Sequence, residues 1–140
     1  MVKNDYKQAV LLIDGSSFLY RAYYGLRPLQ TVAGVPVQAT YGFCRAIKKI
    51  IDDFDPRYIA LVWDSKGPTS RQEIYAEYKA TRQAPPSDLD LQRTHIKEFA
   101  QAIGLLQIEK QGYEADDIIA SLATDLAPSP VVVVTPDKDL

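Results

Sequence analysis

The order of hydrophobic and polar positions predicts short strands that alternate with helices. Four apolar runs have the length of buried strands, and they lie at residues 9–14, 58–63, 105–109 and 131–135. Between these runs, apolar side chains recur at helical spacing at residues 18–26, 36–54, 89–103 and 115–126. Such alternation is typical of the α/β class, so we predict a doubly wound, mainly parallel sheet that is flanked by helices.

Two of the predicted helices have recognisable starts. Gly15, Ser16 and Ser17 form a turn that can supply an N-cap for the helix at residues 18–26. Pro36 can occupy the first turn of the helix at residues 36–54. The latter helix has one apolar face, which we expect to cover the sheet and which consists of Val37, Tyr41, Cys44, Ile47, Ile50 and Ile51.

A polar segment at about residues 65–87 interrupts this alternation. It opens with Gly67-Pro68, closes with Pro85-Pro86 and contains few aliphatic residues. Its basic and aromatic side chains fall at helical spacings, at Arg71, Tyr75, Tyr78, Lys79 and Arg82. We therefore predict an arch-like helical insertion that stands off the core.

Composition limits the class of protein. A chain of 140 residues is long enough for one domain with a core, and 46% apolar with 24% charged residues is typical of a globular protein. No run reaches the length of a membrane span, and the run that stops at Asp14 is too short for a secretory signal. The single cysteine, Cys44, cannot form an internal disulfide and is expected to pack in the core. We expect a cytoplasmic location and no membrane partner.

Carboxylates follow four short apolar runs of the chain. The seven acids are Asp14, Asp64, Glu114, Asp116, Asp117, Asp137 and Asp139. In a parallel α/β domain, strand and helix ends of this kind converge outside the carboxyl edge of the sheet, where ligands bind. Carboxylates that are crowded together repel one another, and one would take up a proton unless divalent cations neutralise them. The pattern therefore predicts a Mg²⁺ or Mn²⁺ site.

Each acid also has a purely structural interpretation. Asp14 and Asp64 can be turn residues, and the three acids at residues 114–117 can favour the positive end of a helix dipole. Any one acid alone is more often structural than catalytic. The joint pattern favours a site, since Glu114 and Asp117 would share a helix face and the last two acids would share a face of an extended segment.

The net charge of −2 at first argues against a polyanionic partner. Setting aside the seven acids leaves 11 acids against 16 Lys and Arg, so the rest of the surface carries about +5. An acidic, metal-filled pocket within a mildly basic surface suits a phosphate-ester substrate. An ordinary mixed-charge surface has the same totals, so charge alone does not decide between the two.

The motifs around these acids resemble the 5′ nuclease family, which includes flap endonucleases and the amino-terminal 5′→3′ exonuclease domain of bacterial DNA polymerase I. The resemblance runs in order from about residue 10 to residue 140. It rests on Asp14-Gly-Ser-Ser with Tyr20-Arg21, on Val37-Gln-Ala-Thr-Tyr-Gly-Phe43, on Arg71 with Tyr78-Lys79 and Arg82, on Gly112-Tyr-Glu-Ala-Asp-Asp117 and on Thr135-Pro-Asp-Lys-Asp139.

The resemblance implies a PIN-like fold and a Mg²⁺-dependent 5′→3′ exodeoxyribonuclease and flap endonuclease that acts in replication and repair. Its partner would be DNA with 5′ flaps, nicks or free 5′ ends. Two Mg²⁺ (or Mn²⁺) ions, held by the seven acids, would activate water and stabilise the leaving 3′ oxygen. Asp14, Asp116 and Lys79 would be catalytic. The residues that bind DNA would be Arg21, Arg71, Tyr78, Lys79 and Arg82.

The resemblance also bears on the extent of the domain. The family continues beyond its Asp-Lys-Asp motif with further metal-binding aspartates and a helix-hairpin-helix that grips duplex DNA. We therefore expect residues 1–140 to be the amino-terminal metal-binding part of an exonuclease domain, with the carboxyl-terminal helix-hairpin-helix part absent. Alone, this part should bind metal weakly, be inactive or weakly active and associate through its last strand. Polymerase domains are expected in the same parent chain.

Two other functions remain open at this point. A PIN-like metal-dependent ribonuclease uses a similar acidic cluster, but generally lacks an insertion such as residues 65–87. A non-catalytic nucleic-acid-binding module would keep the fold and lose the second metal set. Cleavage of 5′-flap DNA, compared with single-stranded RNA, distinguishes these functions.

Overall fold

The computed structural model describes residues 6–75, 77 and 85–138. The strands are β1 Val10–Asp14, β2 Tyr58–Trp63, β3 Leu106–Glu109 and β4 Val131–Val134. The helices are α1 Gly15–Gly25, α2 Gln38–Phe54, α3 Ser70–Ile74, α4 Ser87–Ala102 and α5 Ala115–Asp125. The strands form one sheet in the order β3-β2-β1-β4, and all three pairings are parallel, which confirms the predicted α/β fold. Among the described helices, none is long and apolar enough to cross a membrane.

The register of the sheet brings the strand ends to one edge. Ile13 of β1 lies opposite Leu61 of β2 and Val134 of β4. Because parallel strands end on the same side, the residues that follow them emerge next to one another. Asp14, Asp64 and the turn after β4 therefore meet at the carboxyl edge. As predicted, β4 is an edge strand of the described sheet.

Helices cover both faces of the sheet. On one face, alternate residues of β1 and β2 pack in a cluster with α1, α2 and α4, and these residues are Leu11, Ile13, Leu61 and Trp63. The opposite face presents Leu12, Ala60 and Val62 to α5. Successive side chains of a strand point to opposite faces, so a strand that is covered on both sides is apolar throughout. This explains the short continuous apolar runs in the sequence.

The predicted start of α2 is wrong. The helix begins at Gln38, and Pro36 lies before it in a bridge with Gln30. Val37 occupies the N-cap position and offers no side-chain hydrogen bond. The first amide groups of α2 therefore need another acceptor, because the start of a helix leaves its N–H groups without intrahelical partners.

Gln92 of α4 supplies that acceptor. Its side chain is fully buried, and Oε1 accepts hydrogen bonds from the backbone N–H of Ala39 at 2.6 Å and of Thr40 at 3.2 Å. Its Nε2 donates to Oε1 of Gln38 at 3.3 Å. The helix is thus capped by a side chain that is more than 50 residues away along the chain.

Gln92→Met is expected to lower the free energy of unfolding by about 2–4 kcal/mol, because it leaves one buried and one part-buried N–H group without this acceptor. Methionine fills a similar volume, so the packing cost should be small. Urea denaturation measures the change. Gln101→Met, at an exposed position of the same helix, is the control and should change the stability by less than about 0.5 kcal/mol. Equal effects of the two substitutions would argue against capping by Gln92.

The buried face of α2 agrees with the prediction at Ile47 and Ile50 and differs from it at the start of the helix. Phe43 is buried and stacks on Trp63, with ring centroids 5.6 Å apart. Tyr41, which was expected on this face, is 49% exposed, and its hydroxyl accepts a hydrogen bond from Nη1 of Arg45 at 3.2 Å. Cys44 is half-buried, and burial raises the pKa of its thiol, which keeps the thiol protonated and suits a packing role.

A hydrogen bond also joins α1 to α4. The hydroxyl of Tyr23 donates to Oδ1 of Asp88 at 2.7 Å. This bond to a carboxylate, together with burial, raises the pKa of Tyr23 to about 12. The tyrosine therefore remains a neutral donor, and the bond holds the two helices together over the neutral pH range.

The base of the predicted insertion is fixed to the loop that precedes α5. The backbone N–H of Ser70 donates to the carbonyl of Gly112 at 2.5 Å, and that of Ser65 donates to the carbonyl of Tyr113 at 3.2 Å. The short helix α3 follows directly. Three of the five basic and aromatic residues singled out in the predicted arch lie outside the described residues, and they are Tyr78, Lys79 and Arg82.

Candidate active site

Asp14 connects β1 to α1 and carries the first carboxylate of the site. It is 3% exposed, and its Oδ1 accepts a hydrogen bond from the backbone N–H of Ser17 at 3.1 Å. Asp14 is therefore the N-cap of α1, and the predicted cap at residues 15–17 is wrong, since the helix already begins at Gly15. Gly15 suits this tight turn because a Cβ there would lie 3.1 Å from both the carbonyl oxygen of Val62 and the ring of Trp63.

Asp64 follows β2 and is held on three sides. Its Oδ1 accepts from the backbone N–H of Ala115 at 2.6 Å, so this carboxylate caps α5. Its backbone N–H donates to Oγ of Ser16 at 2.8 Å, and its carbonyl accepts from Nη2 of Arg93 at 2.6 Å. The carboxylate is thereby fixed between the starts of α1 and α5.

Three further acids lie at the start of α5. Glu114 occupies the N-cap position in an extended conformation, so it precedes the helix. The expectation that Glu114 and Asp117 share a helix face is therefore wrong. Glu114, Asp116 and Asp117 nevertheless each offer one carboxylate oxygen to a common group, and these three oxygens all lie within 4.8 Å of one another. This is a group of carboxylates that can hold a metal ion.

Arg71 of α3 lies against this group of three acids. Its Nη1 is 3.0 Å from Oε2 of Glu114 and 3.5 Å from Oδ2 of Asp116. Its Nη2 is 2.5 Å from Oδ1 of Asp117. The arginine was expected to meet the phosphates of a DNA strand, whereas in this structure its guanidinium pairs with the acids of the site.

Asp137 follows β4 in a bend. The strand ends at Val134, and the backbone N–H of Asp137 donates to Oγ1 of Thr135 at 3.0 Å. The threonine hydroxyl thus turns the chain, so the described part of this segment lacks the extended form that a shared face of Asp137 and Asp139 would need. Asp139 lies outside the described residues.

A single cavity of about 690 Å³ joins these parts at the carboxyl edge of the sheet. Five of the seven predicted acids line it, and they are Asp14, Asp64, Glu114, Asp116 and Asp137. Asp117 does not line the cavity and faces Arg71 instead. Arg21 of α1 and Lys138 contribute positive charge to the wall. The cavity therefore combines clustered carboxylates with two positively charged side chains that can attract an anionic ligand.

The sequence did not indicate which hydroxyl groups hold these acids. Oγ1 of Thr135 donates to Oδ2 of Asp14 at 3.1 Å and accepts from the backbone of Asp137, so one hydroxyl connects two of the acids. Ser16 performs a similar task for Asp64. Both residues lie within the motifs quoted above, but their contacts depend on the register of β1, β2 and β4.

The side chains present fit a divalent cation such as Mg²⁺ or Mn²⁺. The donors are all carboxylate oxygens, which hard divalent cations prefer. In addition, Oδ2 of Asp117 is buried and has no hydrogen-bond partner within the part of the chain that the structure describes. A buried carboxylate oxygen without a partner is costly, and a cation is a ligand that satisfies it.

The fold and the cavity define an α/β domain with an acidic site at the carboxyl edge of a parallel sheet. The chain belongs to the family described as 5′-3′ exonuclease, N-terminal resolvase-like domain, whose sequence profile matches residues 9–140. This match confirms the family that the motifs predicted.

Relatives of known name agree with this family. The 5′-3′ exonuclease of Aquifex aeolicus (strain VF5) is 41% identical over 135 residues, which cover 95% of this chain and 47% of the relative. The thermostable DNA polymerase I of Thermus aquaticus is 42% identical over 136 residues, which cover 96% of this chain and 16% of the relative. The chain thus spans less than half the length of each of these relatives.

Two solved structures share the fold. The T5 D15 protein, co-crystallised with metal ions, superposes with a TM-score of 0.63 at 19% identity, covering 94% of this chain and 50% of that protein. The catalytic core of Rad2 in complex with a DNA substrate gives a TM-score of 0.63 at 19% identity, covering 98% of this chain and 42% of that core. At these identities the likeness establishes the fold alone.

Proposed function

We propose that this chain is the amino-terminal, metal-binding part of a structure-selective 5′→3′ exonuclease and flap endonuclease that hydrolyses phosphodiester bonds in DNA. The observation that carries the proposal is one cavity lined by five carboxylates from four separate segments, with Arg21 in its wall. Membership of the 5′-3′ exonuclease family supports the class of reaction.

The proposed ligands of the cations are the five acids of the cavity, namely Asp14, Asp64, Glu114, Asp116 and Asp137. We propose Mg²⁺ (or Mn²⁺), with two ions in the complete domain, and we propose that Asp117 and Asp139 complete the ligand set, directly or through water. When bound, such cations lower the pKa of water and stabilise negative charge on phosphate oxygens. The carboxylates hold the cations in place, and the backbone and hydroxyl contacts of Asp14 and Asp64 keep their oxygens in fixed orientations.

Positive side chains would bring the DNA to this cavity. Arg21 lines it and would attract a phosphate that the carboxylates alone would repel. We propose that Lys79 contacts the scissile phosphate and that Tyr78 stacks on a base beside the cut. Arg71 and Arg82 would bind phosphates of the 5′ strand.

The test is cleavage of a 5′-flap DNA by the longest natural protein that carries this chain. We expect cleavage with Mg²⁺, none with EDTA and none of a single-stranded RNA of the same sequence. Preferential cleavage of the RNA would replace this proposal with a PIN-like ribonuclease. Binding of the flap DNA without cleavage would indicate a non-catalytic module.

Two further proposals concern the context of the chain. DNA with 5′ flaps, nicks or free 5′ ends is the proposed partner, and polymerase domains in the same parent chain are proposed from relatives such as the Thermus aquaticus enzyme. A cytoplasmic, nucleoid-associated location follows from such a substrate. A pull-down on nicked DNA, followed by mass determination of the captured chain, checks the partner and the length together.

A further inference from the structure

Arg71 contacts the same three acids that form the candidate metal group. Its two terminal nitrogens pair with one oxygen each of Glu114, Asp116 and Asp117. The oxygens that these acids offer to a common ligand lie within 4.8 Å of one another. Within the described part of the chain, the guanidinium of Arg71 therefore pairs with all three acids of this group.

The position of Arg71 is fixed by the chain rather than by the acids alone. It is the second residue of α3, and the backbone of the preceding residue, Ser70, is bonded to Gly112 in the loop before α5. The arginine side chain is 37% exposed, whereas that of Glu114 is only 8% exposed. The guanidinium thus reaches a largely buried carboxylate from the base of the insertion while remaining accessible itself.

We propose that Arg71 and a divalent cation compete for Glu114, Asp116 and Asp117, so that metal binding displaces the guanidinium. This inference rests on the proposed function, because it requires that these acids bind metal. A cation on this group would bind the same three carboxylates that Arg71 contacts, and a guanidinium that stayed beside a doubly charged ion would be repelled. Metal loading would therefore release a positive side chain at the base of the insertion, where it can meet a phosphate.

The competition predicts that the removal of Arg71 increases the affinity for a divalent cation. Calorimetry without DNA measures Mn²⁺ binding to the 140-residue chain. The binding should be about tenfold tighter in Arg71→Gln than in the wild type, because hydrogen bonds to charged groups no longer have to be broken. Arg45→Gln is the matched control. It removes the same charge from an exposed position of α2, where Arg45 donates to the hydroxyl of Tyr41, and should change the affinity by less than about twofold.

Thermal unfolding gives a second readout that a purely structural role would not produce. In EDTA, Arg71→Gln should unfold at a lower temperature than the wild type, since three neighbouring carboxylates lose the cation that pairs with all of them. With saturating Mn²⁺, the variant should gain more stability than the wild type, because a ligand that binds more tightly stabilises more at the same concentration. An equal deficit with and without Mn²⁺ would mean that Arg71 only supports the fold.

The reciprocal effect can be followed on the arginine itself. If Mn²⁺ displaces the guanidinium, modification of Arg71 by phenylglyoxal should become faster when Mn²⁺ is added, whereas modification of Arg45 should not change. Peptide mass spectrometry separates the two sites. A rate at Arg71 that is unchanged or slower with Mn²⁺ contradicts displacement.

The outcomes separate this inference from the proposed function. Equal or weaker Mn²⁺ binding by Arg71→Gln overturns the competition and leaves the nuclease proposal standing, while absence of Mn²⁺ binding in every variant overturns both. If Arg71→Gln does not fold, Arg71→Lys carries the test, because one ammonium group cannot reproduce the forked contacts. Arg71→Lys should bind Mn²⁺ about threefold more tightly than the wild type, and an affinity no tighter than that of the wild type overturns the inference.

Discussion

In the longest natural protein that carries this chain, Asp116→Asn is expected to lower Mg²⁺-dependent cleavage of 5′-flap DNA by at least about 100-fold, as for the loss of one preorganised electrostatic group. Asp116 lines the cavity, and its Oδ1 accepts the backbone N–H of Asp117 at 3.0 Å. Asparagine has nearly the same size and can keep that hydrogen bond, so the change removes a charge from the proposed metal ligands and little else. Single-turnover kinetics on a labelled flap measure the loss.

The same substitution should change the free energy of unfolding in EDTA by less than about 1 kcal/mol. Loss of an acid from the first turn of α5 costs about 0.3–1 kcal/mol through the helix dipole. The contact of Asp116 with Arg71, at 3.5 Å and partly exposed, contributes about 0–1 kcal/mol. Relief of repulsion between Asp116 and its neighbouring carboxylates acts in the opposite direction, so the terms largely cancel.

Asp125→Asn is the matched control for this result. It makes the same chemical change in the same helix, at an exposed position at the far end from the cavity. We expect wild-type cleavage from Asp125→Asn. Full activity of Asp116→Asn, or an equal loss in both variants, would remove Asp116 from the site.

The fold could be predicted because the sequence of each strand shows that the strand is buried. Leu11, Ile13, Leu61 and Val62 lie in short continuous apolar runs, which is typical of strands covered on both faces, and the runs alternate with helical periodicity. The position of the acids followed from the same pattern, because parallel strands end at one edge. Five of the seven predicted acids do line one cavity.

The remaining details depend on contacts between distant segments, which no local pattern contains. Gln92 looks like an ordinary helical residue, yet it caps α2 from another helix. Asp64 looks like a turn residue and caps α5, which leaves Glu114 at the N-cap position without a capping bond. Ile47 and Ile50 of α2 are buried as predicted, but Tyr41 was wrongly placed on that face. Tyr41 and Phe43 are both apolar enough for a buried face, and packing against Trp63 selects Phe43.

Arg71 shows the same limit at the site. Its spacing relative to Tyr75 indicated a helix, and the backbone N–H of Tyr75 does donate to the carbonyl of Arg71 at 2.8 Å. The spacing of these side chains predicts that a helix forms, but it does not predict how that helix is oriented relative to the sheet. That direction is set by the bonds of Ser65 and Ser70 to the loop before α5, and it turns Arg71 toward the acids.

Ile13→Ala is expected to lower the free energy of unfolding by about 2–5 kcal/mol, through lost transfer energy and the cavity left behind. Ile13 is fully buried in β1, between Leu61 and Val134 of the adjacent strands, so the site cannot collapse easily. A domain is stable by only about 5–15 kcal/mol, and the loss is therefore a large share of the total. Ile74→Ala, at an 87% exposed position, is the control and should change urea denaturation by less than about 0.5 kcal/mol. Similar midpoints for the two variants would contradict the central position of β1 in the core.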